Sequence, residues 1–285
     1  MLKRFASTCC GLFATLVLLA ACAGGSNQSG LMPTSVHPVP SGQHKPWMSP
    51  DAKRKSTLLY VSAFNGNDVY VYDYPSGTQV GTLTGFSSPN GQCVDAKGDV
   101  YIADGSGVVY EYAHGGQTPI KTYTTSGGAY GCSVDKKGDL AVTDFSGPSY
   151  TAGSVTVFPN GSSKGAVYDD PVDCYYIWPG GYDDEGNLVM IAENQASETV
   201  TFCALLKGSK SLATLSASGF TIYSPDSTMW DGKYLALGDQ QLGGGFQSGI
   251  VEATVSGSTL TYHAQVTLSG CDAGYSHVIQ PFIVG

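Results

Sequence analysis

Two stretches decide how this chain folds: Gly91-Gln92-Cys93-Val94-Asp95-Ala96-Lys97-Gly98-Asp99-Val100-Tyr101-Ile102-Ala103-Asp104 and Gly131-Cys132-Ser133-Val134-Asp135-Lys136-Lys137-Gly138-Asp139-Leu140-Ala141-Val142-Thr143-Asp144. A pattern of Val-Asp, one residue, Lys-Gly-Asp, an alternating apolar strand and a final Asp recurs 40 residues apart. Each copy reads as a strand, a turn whose glycine supplies φ > 0, and a second strand. Looser copies run from Gly181 to Glu193 and from Met229 to Asp239. The turn glycines Gly98, Gly138, Gly186 and Gly232 are therefore spaced 40, 48 and 46 residues apart. That is the period of a four-stranded β-propeller blade, not of a helix pair.

Working outward, the second copy continues through a hairpin loop at Asp104–Gly107, a strand at Val108–Tyr112 and a last strand at Ile120–Tyr123. The first copy starts later, with strands at Leu58–Ala63, Asp68–Asp73 and Thr78–Leu83, and has no innermost strand of its own. The expected fold is all-β, a propeller over 56–285 with blades near 57–86, 87–125, 128–168, 174–218 and 219–269. A further inner strand is expected at Ser276 to Val284. Either it completes the first blade and closes a five-bladed ring, or it begins a sixth blade.

The segments Gly98–Asp104 with Val109–Tyr112, and Leu59–Ser62 with Val69–Tyr72, resemble the NHL-repeat type of β-propeller. The resemblance is close to about Phe158 and looser beyond. It implies a six-bladed ring, incomplete at its C-terminal end. The Arg that commonly follows the hairpin in that family is missing, which weakens any analogy to its RNA-binding members.

Composition agrees with many short strands. Of 285 residues 42% are apolar, enough for a sizeable core, and 38 are Gly. Only 13% are charged, about half the usual share, which disfavours a coiled coil or a charge-rich disordered chain. After Lys55 the chain carries eight Lys, no Arg and 22 acidic residues, a net charge of −14. Nucleic acid needs clustered Lys and Arg, so it is excluded as a partner. Anionic substrates gripped by Arg forks are disfavoured for the same reason.

The N-terminus reads as a leader over 1–21. Lys3 and Arg4 precede an apolar run, Gly11 to Ala21, too short to span a membrane. Its end, Leu19-Ala20-Ala21-Cys22, resembles the bacterial lipobox. That resemblance implies cleavage before Cys22, lipid on its sulfur and, with Ala23 rather than Asp next, sorting to an outer membrane, facing periplasm or cell surface. Residues 22–55, rich in Gly, Ser and Pro, read as a disordered tether in which Lys53, Arg54 and Lys55 form a solvated end.

Cys93, Cys132, Cys174, Cys203 and Cys271 remain beyond the leader and the lipid attachment, an odd number for an oxidising compartment. Cys93 and Cys132 fall on inner strands of adjacent copies, where either a bridge between blades or buried free thiols would fit. Cys174 with Cys203 is a second candidate pair. His263 and His277 are scattered, so a three-His zinc site is not supported. Gly243-Gly244-Gly245 lacks the Lys and the helix of a phosphate cradle.

One constellation stands out. Asp104, Asp144, Glu193 and Asp239 fall where the second strand of each copy meets its hairpin loop, and these loops gather on one propeller face. The four carboxylates could ring a cation, calcium being the natural candidate. Alternatively each caps its own loop by accepting backbone N–H bonds, the simpler arrangement. Two function classes follow: a binding module for a protein, peptide or glycan, or a lactonase-like hydrolase or lyase with a metal-dependent site at the channel. The lack of a recognisable base, nucleophile or metal cluster favours binding.

Overall fold

The computed structural model describes residues 45–146, 151–245, 247–272 and 282–284. Cys22 and His277 lie outside them, as does the side chain of Cys271. The first group of strands is β1 (Trp47–Met48), β2 (Leu58–Ala63), β3 (Asp68–Asp73) and β4 (Thr78–Thr84). The second is β5 (Pro89–Val94), β6 (Val100–Asp104), β7 (Val108–Tyr112) and β8 (Pro119–Thr124). The third is β9 (Ala129–Val134), β10 (Leu140–Asp144), β11 (Ser154–Phe158) and β12 (Ala166–Tyr168). The fourth is β13 (Tyr176–Ile177), β14 (Gly181–Tyr182), β15 (Leu188–Asn194), β16 (Thr199–Leu205) and β17 (Ala213–Ser218). The fifth is β18 (Pro225–Trp230), β19 (Leu235–Asp239), β20 (Gln247–Ser256) and β21 (Thr259–Asp272), and β22 (Phe282–Val284) follows.

Each group is an antiparallel meander, and neighbouring meanders stack side by side, β22 and β2 on β5, β5 on β9, β9 on β14 and β14 on β18. The fourth and fifth are also joined at the rim by a parallel pairing of β17 with β21. β22 completes the first blade. It pairs antiparallel with β2, Leu58 opposite Val284 and Tyr60 opposite Phe282, and so supplies the inner strand that the first copy lacks. The described strands therefore make five blades, and the segment that could have begun a sixth belongs to the first. Of the two expected arrangements, this is the one in which the final strand completes the first blade, β22 pairing with the inner edge of β2 over Leu58–Tyr60.

The repeated turn has a repeated cause. Asp95 Oδ1 accepts the amides of Lys97 and Asp99 (2.9 Å each), while Gly98, at φ +86°, donates to the Asp95 carbonyl. Asp135 does the same with Lys137 and Asp139, and Asp183 with Glu185 and Asn187. In the fifth blade the turn is one residue shorter, and Asp231 caps Lys233 and Tyr234. An Asx turn plus a left-handed glycine is what the Asp-x-x-Gly spacing encodes.

Five blades bring the inner strands into contact at the axis. A Cβ on Gly131 would stand 2.4 Å from Pro179 Cβ, and one on Gly181 would stand 2.7 Å from the Thr228 carbonyl oxygen. Only glycine fits either place. The strands bond directly there: Tyr182 N donates to Ser133 Oγ (3.1 Å) and Thr228 N to the Pro179 carbonyl (2.8 Å). The apolar cores lie between blades. Tyr101, Val109 and Tyr123 of the second blade pack with Leu140, Val142 and Phe158 of the third.

Folded structure includes Pro46–Lys55, ahead of the Ser56 boundary expected from composition. β1 pairs with β4 as a fifth, outer strand of the first blade, and Ala52 is fully buried in that blade's core. Gln117 Nε2 bonds the Pro46 carbonyl (2.7 Å), and Lys55 pairs with Asp73 (2.8 Å) rather than ending a free tether. Among the described residues two disulfides are present. Cys93–Cys132 links the inner strands of the second and third blades (Cα–Cα 5.5 Å), and Cys174–Cys203 ties the loop before β13 to β16 (Cα–Cα 6.2 Å). Replacing Cys93 and Cys132 together by Ala should lower the urea-unfolding free energy by about 2–4 kcal/mol, because the bridge closes a long loop in the unfolded chain. An unchanged denaturation midpoint would show that the bridge adds nothing to blade cohesion.

Candidate functional site

Three of the four predicted carboxylates take equivalent positions, and each is fully or almost fully buried. Asp104 Oδ2 accepts the amides of Ser87 (2.8 Å) and Ser88 (3.3 Å), and Oδ1 accepts that of Ser106 (2.8 Å). Asp239 repeats the arrangement with Tyr223 (3.1 Å), Ser224 (2.9 Å) and Gln241 (2.9 Å). Each Asp thus ties the loop entering its blade to its own β-hairpin, a longer-range cap than the hairpin turn alone.

Glu193 does not belong to this set. Leu188 opposes Tyr182 as Val100 opposes Val94, so the residue equivalent to Asp104 is Ala192. A slip of one residue turns a strand side chain to the other face. Asn194 serves this longer hairpin instead, its Oδ1 accepting the amides of Ala196 (2.9 Å) and Ser197 (3.0 Å). Of the four carboxylates, Asp104 and Asp239 are engaged by backbone amides and Glu193 is out of register with the other three. No group of three or more His, Cys, Asp or Glu among the described residues is placed to hold a metal.

Asp144 is the imperfect member. Ser154 Oγ donates to its Oδ2 (3.1 Å), but Oδ1 has no hydrogen-bond partner among the described residues. Burial pushes this acid up from the ordinary 3.8 to about 6, with the Thr125 and Ser154 hydroxyls and the Gly127 amide pulling partly back.

Beside Asp144, the hairpin face carries an aromatic cluster that no repeat pattern announced. Phe145 stacks on Tyr176 (centroids 4.9 Å, interplanar 6°) and meets Trp178 edge-on (5.1 Å) and Tyr130 at a tilt (5.4 Å). Tyr175 extends the cluster edge-to-face from Tyr176 (4.7 Å). All five rings are partly exposed. Tyr130 and Trp178 share one repeat position with Asn90 and Asp226, five residues before the turn aspartates Asp135, Asp183, Asp95 and Asp231. The rings thus stand at the channel mouth beside an amide and a carboxylate. Burial, then the charge of Asp226, raises the Tyr130 hydroxyl above its usual value. Phe64 and Tyr223, both more than half exposed, lie on the same face in the first and fifth blades.

Two cavities lie toward the opposite face, where the Asx turns are. One, of about 240 Å³ at the axis, is lined by Val94, Val134, Tyr182 and Trp230, each the residue before a turn aspartate. The other, of about 370 Å³, is a cleft between the second and third blades, floored by Tyr101, Glu111 and Tyr123.

No family model matches the chain, and no curated protein matches it in sequence. Among solved structures it is similar to hydrazine synthase of Kuenenia stuttgartiensis, at 18% identity and TM-score 0.54 over 81% of this chain and 68% of that one. It is also similar to the WD40 repeats of RRP9, at 13% identity and TM-score 0.53 over 78% and 66% of the two chains. A functionally unknown protein of Desulfotomaculum acetoxidans matches at 9% identity and TM-score 0.52 over 74% and 66%. At these identities the likeness is one of fold, and with the blade geometry it makes this chain a β-propeller.

The raised acid has a direct consequence. Between about pH 4 and pH 6 the folded chain holds the Asp144 proton more tightly than the unfolded chain does, so stability falls as pH rises through that window. The full loss is about 3 kcal/mol. Asp144→Asn should remove it, so that wild type and variant are nearly equal at pH 4 and the variant is the more stable at pH 7. Urea denaturation at both pH values reads this, and parallel pH profiles would contradict it.

Proposed function

We propose that this protein is a binding module held at a membrane by lipid on Cys22, presenting the hairpin face of its propeller to a peptide, protein or glycan. The observation that carries the reading is the contiguous cluster of Tyr130, Phe145, Tyr175, Tyr176 and Trp178. Partly exposed rings with polar tips supply large, rigid contact area at low entropic cost, the property that enriches Tyr and Trp at binding surfaces. Flat rings suit the C–H faces of sugars and the side chains of peptides. The acidic chain beyond Lys55, which carries no Arg, favours neutral or basic ligands on this face.

Kinship with NHL-type propellers rests on the resemblance of Gly98–Asp104 with Val109–Tyr112 and of Leu59–Ser62 with Val69–Tyr72, and extracytoplasmic placement rests on the lipobox-like leader together with the two disulfides. The hydrolase or lyase alternative needs a channel carboxylate free to act, and Asp104 and Asp239 are tied to backbone amides.

Screening the protein against glycan and peptide arrays should give ligands whose affinity falls at least about tenfold in both Phe145→Ala and Tyr176→Ala, as for anchors at the centre of an interface. Ligands retained by both variants would place the binding face elsewhere. Cys22→Ser should release the chain from membranes, and a variant that stays membrane-bound would exclude the lipid anchor.

A further inference from the structure

The cleft between the second and third blades gathers four of the eight lysines that follow Lys55: Lys97, Lys121, Lys136 and Lys137. Lys97 and Lys137 hold equivalent places on the Asx turns of the two blades and are exposed, one on each wall. Lys121 leans over the Tyr123 ring (4.5 Å to the centroid), and Lys136 donates to the Asp184 carbonyl (2.9 Å). None of the four forms an ion pair among the described residues. In a chain with 22 acidic residues and eight Lys after Lys55, four ammonium groups without an ion pair among the described residues gather at this one cleft.

The floor is polar and buried. Glu111 is 9% exposed and Tyr101 and Tyr123 are each 5% exposed, with the Tyr123 hydroxyl donating to Glu111 Oε2 (2.8 Å). Lys121 stands directly opposite Glu111 in the β7–β8 ladder, yet its ammonium is spent on the Tyr123 ring and the Ser162 carbonyl (3.4 Å). The two other lining carboxylates, Asp95 and Asp135, each already accept two amides in their own turns. The cleft thus presents positive charge at its rim and a carboxylate that accepts hydrogen bonds at its floor. Its volume of about 370 Å³ lies in the range of small-molecule sites.

We propose that this cleft is a second binding site, for a small hydroxylated carboxylate of the uronic-acid class. The ligand's carboxylate meets Lys97 and Lys137, which act as point charges and need no Arg fork. Its hydroxyls donate to Glu111. A fully charged inorganic anion satisfies the rim but brings no hydroxyl array to the floor and is repelled by Glu111. A neutral sugar satisfies the floor and leaves the lysines unpaired.

Titration calorimetry on the full chain with galacturonate, galactose and inorganic phosphate tests this at low ionic strength, where exposed charges are least screened. Galacturonate should bind at least about tenfold more tightly than either control. Lys97→Ala combined with Lys137→Ala, on exposed turns whose backbone caps are untouched, should weaken galacturonate by a similar factor, and Glu111→Gln should weaken it with the melting temperature checked alongside. Phe145→Ala should leave galacturonate binding unchanged, which separates this site from the hairpin face. Absent galacturonate binding, equal binding of either control, or affinity indifferent to the lysine pair would overturn the proposal. Loss in Phe145→Ala would overturn it too, by moving the sugar to the aromatic cluster.

Discussion

Direct contact between inner strands at the axis is the constraint from which the rest of this propeller follows. With five blades, backbone meets backbone between neighbours: Thr228 N reaches the Pro179 carbonyl, and Gly131 lies where Pro179 leaves no room for a Cβ. Close approach removes side-chain volume from the centre and moves the apolar cores outward, into the seams between blades. It also brings Cys93 and Cys132 within bridging distance across one seam. β22, which follows the fifth blade in sequence, joins β2 and so completes the sheet of the first blade.

Around that axis, aspartates working on backbone amides replace the longer side chains a charged surface would use. One set closes the Asx turns on one face, and a second, buried set ties the incoming loop of a blade to its hairpin on the other. A buried carboxylate that accepts three amides is stabilised as an anion, whereas one left with an orphan oxygen is not. Asp144 is the orphaned case, and it sits one residue before Phe145, the hub of the aromatic cluster. The least satisfied cap in the ring is therefore the one that supports the proposed binding face.

The all-β repeat was legible because Asp95 and Gly98 encode a turn that recurs at fixed spacing, and local hydrogen bonding alone makes that turn. Other features depend on tertiary contact and left weaker traces. Glu193 looked equivalent to Asp104, but counting from Gly186 gives seven residues where Gly98 gives six, and the strand alternation turns that difference into the wrong face. β1 is two residues long within a Pro- and Lys-containing segment, so no periodicity marked it, and its stability comes from Ala52 buried under the first blade. The aromatic cluster joins residues from the β9 strand, one hairpin and the broken inner strand around Pro179, and only the ring brings them together. Blade number stayed open because a repeat count does not say which sheet the final strand enters.

Closure by β22 is tested most directly by amide hydrogen exchange in the full chain and in a chain ending at Pro281. The account predicts that loss of Phe282–Gly285 removes protection from those amides of Leu58–Tyr60 that face β22, while the amides of β2 bonded to β3 and those of β6 and β10 keep theirs. Unchanged protection across β2 would show that its inner edge is satisfied some other way, and the five-bladed closure would be wrong.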